Sequence, residues 1–231
     1  MHLEEMHMMF RELAQQMGIQ TTRAILPENI DICLNVAIKD TVNWLIVDNI
    51  GYIGNDKVAR SNTSISSING LRTLMKKKSI IMSNVTGEGT PNNPFTFVID
   101  DADVMLYLNF KVIYDNKLLY DCRIIENDNL GQTIQDFCNR PTKDAPICTI
   151  VGDDTKISLD VITGINTPSK PTNIYYYCID NPAEVYLDED DKVNNIECDM
   201  PTYLHTDIVK KAVGIYLQSI GAVSSSNKNN N

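Results

Sequence analysis

Histidine is the side chain that most often serves as a general base or metal ligand near neutral pH, and this chain has three histidines. His2 and His7 are five residues apart, so they do not share one helical face as the two histidines of a zinc-binding HExxH helix do. We therefore interpret both as exposed or partly buried polar residues. A cysteine–histidine nucleophilic pair stays open, because its partners can meet in space, but no local pattern supports one.

Two acidic stretches are candidates for binding a hard cation such as calcium. One is the pair Asp153 and Asp154, and the other spans residues 188–191. Neither has the alternating ligands and central glycine of a calcium loop, so we interpret both as acidic, solvated turns. A lone GxG at residues 87–89 lacks the further glycines of a phosphate-binding loop and predicts a simple turn.

A basic run and an aromatic run are the remaining candidates for binding. Lys76, Lys77 and Lys78 could contact a phosphate backbone, but a charge run at a predicted helix end is more often solvated or turned toward an acidic neighbour. Residues 175–177 are consecutive tyrosines in a predicted strand, where aromatic side chains usually pack in the core or across strands. These runs therefore favour a structural role over base stacking.

The six cysteines are scattered, and no pair has CxxC spacing. In a chain of this length we expect free, buried thiols. The GxSxG sequence of a nucleophile elbow does not occur either. The sequence thus assigns no catalytic, cofactor-binding or metal-binding residue, and we expect no enzymatic activity and no cofactor.

The formal net charge is −10, from 20 Lys and Arg against 30 Asp and Glu. Proteins that grip nucleic acid in general need a basic surface that releases counterions from phosphates, so the balance argues against that class. It fits a soluble protein that does not bind DNA, and it would also fit an acidic surface past which DNA slides. No apolar run approaches about 18 residues and no basic, apolar leader is present, so we expect neither a membrane span nor a secretory signal.

Apolar residues at spacings of three and four predict three main helices. The first is followed by Gly18 and has one apolar face, formed by Leu3, Met6, Phe10, Leu13 and Met17. The second runs from Pro27 to about Val47, and its apolar face consists of Ile30, Cys33, Leu34, Ala37, Ile38, Val42 and Leu45. The third covers residues 201–219, with His205 capping or supporting its start. Residues 51–69 read as a long, mobile loop, and residues 71–75 as a helical turn that ends in the three lysines.

The middle of the chain changes to the two-residue period of β-strands. Predicted strands cover residues 79–82, 95–99, 104–114, 118–125, 147–151, 156–161 and 173–179. Residues 115–117 and 152–154 fit hairpin turns. The apolar residues Leu130, Ile134 and Phe137 predict a helix near residues 129–139 that ends before Pro141.

Helices segregated from strands argue for an α+β fold. We expect the N-terminal helices and a C-terminal helix to form a helical body, with a central antiparallel β-sandwich or barrel-like lobe that carries one inserted helix. The predicted regions are a helical region at 1–78, a β-rich lobe at 79–199, a C-terminal helix at 200–221 and a disordered tail at 222–231.

Four stretches carry a family pattern. They are LPENID at 26–31 with Leu34, Asn35 and Ala37; Leu71, Arg72 and Leu74; IQDFCNRP at 134–141; and MPTYLH at 200–205 with Ile208, Val209, Ala212 and Val213. In this order they resemble the head–tail connector (ring or neck) proteins of crAss-like bacteriophages, similar in pattern to the tail tubular protein A adaptors of short-tailed phages. The third stretch lacks the inner proline of the family's asparagine-proline-phenylalanine turn, and no stretch is catalytic.

The resemblance implies a virion structural protein that forms a homo-oligomeric ring of twelve subunits in the connector. The ring would bridge the portal and the tail, or contact adjacent ring proteins, while double-stranded DNA passes through its lumen without specific binding. Assembly would take place in the host cytoplasm, without a membrane. Two rivals stay open: a non-virion adaptor or assembly chaperone that binds another phage protein, and an enzyme with dispersed acidic residues around a metal.

Overall fold

The computed structural model describes residues 1–17, 25–50, 69–80, 85–99, 103–115, 118–152, 156–188 and 192–220. The chain divides into two compact units, one of residues 1–74 with 181–231 and one of residues 75–180. The sequence placed these boundaries near residues 78 and 199. The predicted mobile loop at 51–69 and tail at 222–231 lie outside the described residues, apart from Asn69 in a turn.

Four α-helices and seven β-strands form the fold of the described residues, which is α+β as the sequence predicts. The helices are α1 (Leu3–Gln16), α2 (Pro27–Ile50), α3 (Asn127–Gln135) and α4 (His205–Ser219). The strands are β1 (Met75–Ile80), β2 (Phe95–Ile99), β3 (Val104–Ile113), β4 (Leu119–Ile124), β5 (Ile147–Gly152), β6 (Ile157–Ile162) and β7 (Asn173–Asp180). Within the described ranges, no helix combines the length and apolar character that crossing a membrane requires.

Helix α4 packs against α1 and α2, and this contact builds the core of the first unit. All seven residues of the predicted apolar face of α2 are buried. The helix continues past the predicted end near Val47 to Ile50.

The buried face of α1 differs from the predicted one at its C-terminal end. Ala14 is buried, whereas Leu13 is half-buried and Met17 is exposed beyond the last helical residue. Phe10 sets this orientation, because its ring packs edge-on against Tyr216 of α4 with 5.7 Å between centroids.

Residues 181–200 belong to this helical unit, and side-chain-to-backbone hydrogen bonds join them to α1 and α2. Asn35 accepts a hydrogen bond from the Val185 amide and donates one to its carbonyl, at 2.8 and 3.1 Å. Glu197 accepts the Leu3 amide at the start of α1. The sequence pattern gave no sign of these contacts, since the partners are about 150 residues or more apart.

The second unit is one strongly curled sheet of seven strands in the order β1-β7-β3-β4-β5-β6-β2, a half-barrel rather than a sandwich. Every pairing is antiparallel except that between β4 and β5, which is parallel. Strands β4 and β5 can run parallel because the long connection between them, which includes α3, crosses back to the starting end of the sheet. The core residues include Phe97, Phe110, Cys148, Leu159, Val161 and Tyr176.

Strand β3 departs from strict alternation. Its register against β7 shifts between Val104 and Leu106 and again between Tyr107 and Asn109. These irregularities turn Tyr107 onto the core face, where its ring stacks on Phe110 with 5.8 Å between centroids. Strict alternation along the predicted strand at 104–114 would instead place Tyr107 on the opposite face from Phe110.

The three lysines and α3 correct two further expectations. Lys76, Lys77 and Lys78 lie in the edge strand β1, not at a helix end, because β1 pairs with β7 along its whole length. Helix α3 ends at Gln135, and none of its residues is buried, so Phe137 lies beyond the helix rather than on its packed face.

Candidate functional site

The structure separates the three histidines. His2 is exposed near Glu197, as expected. His7 is buried, contrary to the expectation from sequence, and its Nε2 lies 2.8 Å from Oδ1 of Asp31. His205 is buried at the start of α4, where its ring nitrogens contact the carbonyl oxygens of Met1 and Met200 at 3.0 and 2.8 Å. Each histidine therefore contacts a different part of the chain, and the three histidine side chains do not lie together in one site.

The acidic stretches lie largely outside the described residues, which include neither Asp153, Asp154 nor residues 189–191. Asp188 is partly buried; its amide donates to Asn195, and its carboxylate accepts from Asn194. In the part of the chain that the structure describes, no group of three or more His, Cys, Asp or Glu residues is placed to hold a metal ion.

An acidic cleft of about 490 Å³ lies beside the start of α1 and is lined by His2, Glu4, Glu5, Met8, Asn195 and Glu197. Two of its carboxylates are occupied by the protein itself: Glu5 accepts the amide of His2, and Glu197 accepts the amide of Leu3. The cleft thus satisfies free backbone donors at a helix N-terminus.

The basic and aromatic runs meet on the face of the sheet opposite the core only at Lys77, which lies 4.3 Å from the centre of the Tyr175 ring. Lys78 lies on the other face, because it is opposite Tyr176 in register and Tyr176 belongs to the core. There it pairs with Asp180 at 2.8 Å. Lys77 and Lys78 are therefore engaged by their own sheet, and lysine on an edge strand also discourages pairing with a further strand.

The cysteines are all free thiols, as expected. Cys33, Cys122, Cys148 and Cys178 are buried, whereas Cys198 is partly buried. Cys138 is exposed, which the expectation of buried thiols missed. Burial raises the pKa of Cys122 well above its ordinary value, and a hydrogen bond to Cys148 adds to this rise.

A prominent exposed surface among the described residues is an apolar face of α2 that points away from the core. It consists of Ile32, Val36, Trp44 and Val47, with exposed fractions of 62%, 43%, 59% and 45%. At 3.6 residues per turn these positions fall within a sector of about 120°. We call these four residues the α2 stripe. Helix α2 is thus apolar on two sides, a pattern typical of a helix that is covered all round.

A second exposed feature is the turn after α3, residues 136–140, which we call the Phe137 turn. Phe137 is 77% exposed, and the guanidinium carbon of Arg140 lies 4.5 Å from the centre of its ring. Asp136 holds the turn by accepting the Cys138 amide at 2.9 Å and the Asn139 side chain at 2.6 Å. These hydrogen bonds, the Asn139 side chain first, lower the pKa of the Asp136 carboxyl.

Sequence reasoning missed both surfaces, although signals were present. The only tryptophan of the chain stands on the polar side of the predicted α2 face, and Ile32 and Val36 accompany it. A helix with apolar residues outside its core-facing sector indicates a second contact.

Comparison of the chain with protein-family models and with curated proteins finds no match in either.

Proposed function

We propose that this chain is a virion structural protein that forms a ring of twelve subunits in the head–tail connector of a bacteriophage. The ring bridges the portal and the tail, and double-stranded DNA passes through its lumen. The proposal combines two lines of support: an exposed surface suited to assembly, and the ordered resemblance of the four sequence stretches to connector proteins.

The observation that carries the assembly role is the α2 stripe. Four large apolar side chains exposed on one helix are costly in water, and a contiguous exposed apolar patch commonly marks a protein–protein contact. Trp44 gives this face an aromatic anchor of the kind that dominates binding energy at interfaces.

The charge of the chain favours a role in which DNA passes without being gripped. A net charge of −10 per copy, repeated around a ring, creates an acidic annulus that repels phosphate. Neighbouring copies then repel each other as well, so the ring needs apolar burial or local opposite charges at its contacts. The α2 stripe supplies the apolar part.

A non-virion adaptor or assembly chaperone is the second candidate, and the same exposed stripe favours it. The two candidate functions differ in whether the chain is part of the finished phage particle. Quantitative mass spectrometry of purified phage particles, with the portal protein as internal reference, should find this chain in as many copies as the portal. A chain missing from particles but abundant in infected cells would exclude the connector and favour the chaperone.

A further inference from the structure

We infer that the Phe137 turn of one copy docks on the α2 stripe of the next copy, so that subunits join head to tail. The inference rests on the proposed function, because it specifies which surfaces form the contact between neighbouring ring subunits. Two exposed features, one in each unit of the chain, have complementary chemistry.

The Phe137 turn is organised before any partner binds. Asp136 accepts two hydrogen bonds from within the turn, and its carbonyl accepts the Arg140 amide at 2.8 Å. Arg123 of β4 donates to both the carbonyl and the side chain of Asn139, which ties the turn to the sheet. A fixed turn loses little conformational entropy on binding, and this improves affinity.

The turn presents an aromatic ring and a guanidinium side by side, and aromatic residues and arginine dominate binding energy at protein interfaces. Such a pair needs an apolar surface for the ring and a carboxylate for the charge. The partner that fits is therefore an apolar face with an acidic residue within it.

The α2 stripe has this composition. Asp40 lies within the same sector of about 120° as the apolar residues of the stripe. Its side chain is 53% exposed and lies 3.6 Å from Lys211, so one side of the carboxylate stays open to a second cation. Of the four acidic residues of α2, Asp31 is buried against His7, whereas Asp40 is exposed in the sector of the stripe and attracts a positive partner there.

The two surfaces are different, and this sets the kind of assembly. Contact between unlike surfaces is heterologous, and it closes into a ring where the rotation per subunit allows. A contact of the stripe with its own copy would instead give a closed dimer. The inference thus accounts for a ring as well as for burial of the stripe.

Complementation between two disabled variants tests this arrangement. Phe137→Asp removes the docking residue and Trp44→Asp removes its site, and both positions are exposed, so each variant should keep the fold, which circular dichroism checks. Each variant alone should self-associate about 30-fold or more weakly than the wild type. Because each retains one intact surface, an equimolar mixture should form a one-to-one dimer and nothing larger by native mass spectrometry.

Matched controls use apolar residues outside both surfaces. Val98→Asp on β2 and Val193→Asp place the same charge at side chains that are 58% and 88% exposed, and both should assemble as the wild type does. A ring that persists in Phe137→Asp would overturn the inference while leaving the proposed function intact. A wild type that stays monomeric alone and with its portal protein would overturn both.

The exposed thiol of Cys138 provides a second, independent readout. In a Val36→Cys variant, mild oxidation should join Cys138 of one copy to the introduced thiol of the next, seen as a ladder on a non-reducing gel and as one cross-linked peptide. The Val193→Cys variant should give no such peptide, and adding Cys138→Ser to Val36→Cys should abolish the ladder. A disulfide between two introduced thiols in place of the mixed product would contradict head-to-tail contact and indicate stripe-to-stripe pairing.

Discussion

His7 on α1 and Asp31 on α2 form a buried pair, with 2.8 Å between Nε2 and Oδ1 and exposed side-chain fractions of 1% and 7%. The second carboxylate oxygen of Asp31 accepts the Leu187 amide at 3.1 Å. One carboxylate thus links two helices and the segment that returns from the sheet. This ion pair lies between two helices that otherwise make few contacts with each other.

We expect His7→Leu to destabilise the protein by about 3 kcal/mol or more, because it leaves a buried carboxylate without its main partner. The double variant His7→Leu with Asp31→Asn should be less unstable than the sum of the two single changes, since no buried charge is then left unpaired. Urea unfolding of the four proteins of this cycle measures the coupling. Strict additivity would show that the pair contributes nothing specific.

His205 connects the start of α4 to the carbonyl oxygens of Met1 and Met200. His205→Phe removes the ring N–H that lies against these carbonyl oxygens, of which that of Met200 is buried, so we expect a loss of about 1–3 kcal/mol in unfolding free energy. His2→Ala, at an exposed histidine, should change it by less than about 0.5 kcal/mol. Equal effects of the two changes in chemical denaturation would refute the proposed anchoring.

The pKa of Asp136 reports the order of the Phe137 turn. Because hydrogen bonds from Asn139 and Cys138 favour the charged carboxylate, its folded pKa lies below the ordinary value of 3.8. The stability that it contributes is present above the ordinary value and is lost as the pH falls through the lower, folded pKa. NMR titration of the carboxyl should find this lower midpoint, and Asn139→Ala should raise it. Asn129→Ala on α3 is the control, and an ordinary midpoint in the wild type would mean that the turn is not held.

The six thiols should differ sharply in reactivity in the unassembled subunit, for which Trp44→Asp serves. Cys138 is exposed and should react with a disulfide reagent at once at about pH 8. Burial raises the pKa of Cys198 to about 11, so only about one thiolate in a thousand is present at that pH. We expect one rapidly reacting thiol, and its reaction should be absent in Cys138→Ser. Several rapidly reacting thiols would contradict the described burial of the other cysteines.

Much of the fold was predictable because periodicity reports burial against a local core. The apolar face of α2 and the limits of β2 follow directly from residue spacing. Lys76, Lys77 and Lys78 were misassigned because three consecutive lysines show no alternation, and only pairing with β7 makes that segment a strand. The burial of His7 was missed because its partner is 24 residues away on another helix.

The candidate site was harder to predict for a physical reason. A side chain such as Trp44 that points away from the core follows no period set by that core, so in the sequence it looks like an ordinary exposed position. Phe137 illustrates the same limit, because the sequence placed it on the packed face of a helix that ends two residues earlier. Residues that serve a partner become visible only once the core-facing positions are known.

The central claim is that this chain assembles into a ring through exposed apolar surfaces. The most direct test is the mass of the purified protein, alone and mixed with its portal protein, by native mass spectrometry with negative-stain microscopy of the same samples. We predict rings with a mass twelve times the 26.0 kDa of one chain, formed alone or on the portal. A chain that stays at 26.0 kDa in both samples, with the portal unoccupied, would contradict the account.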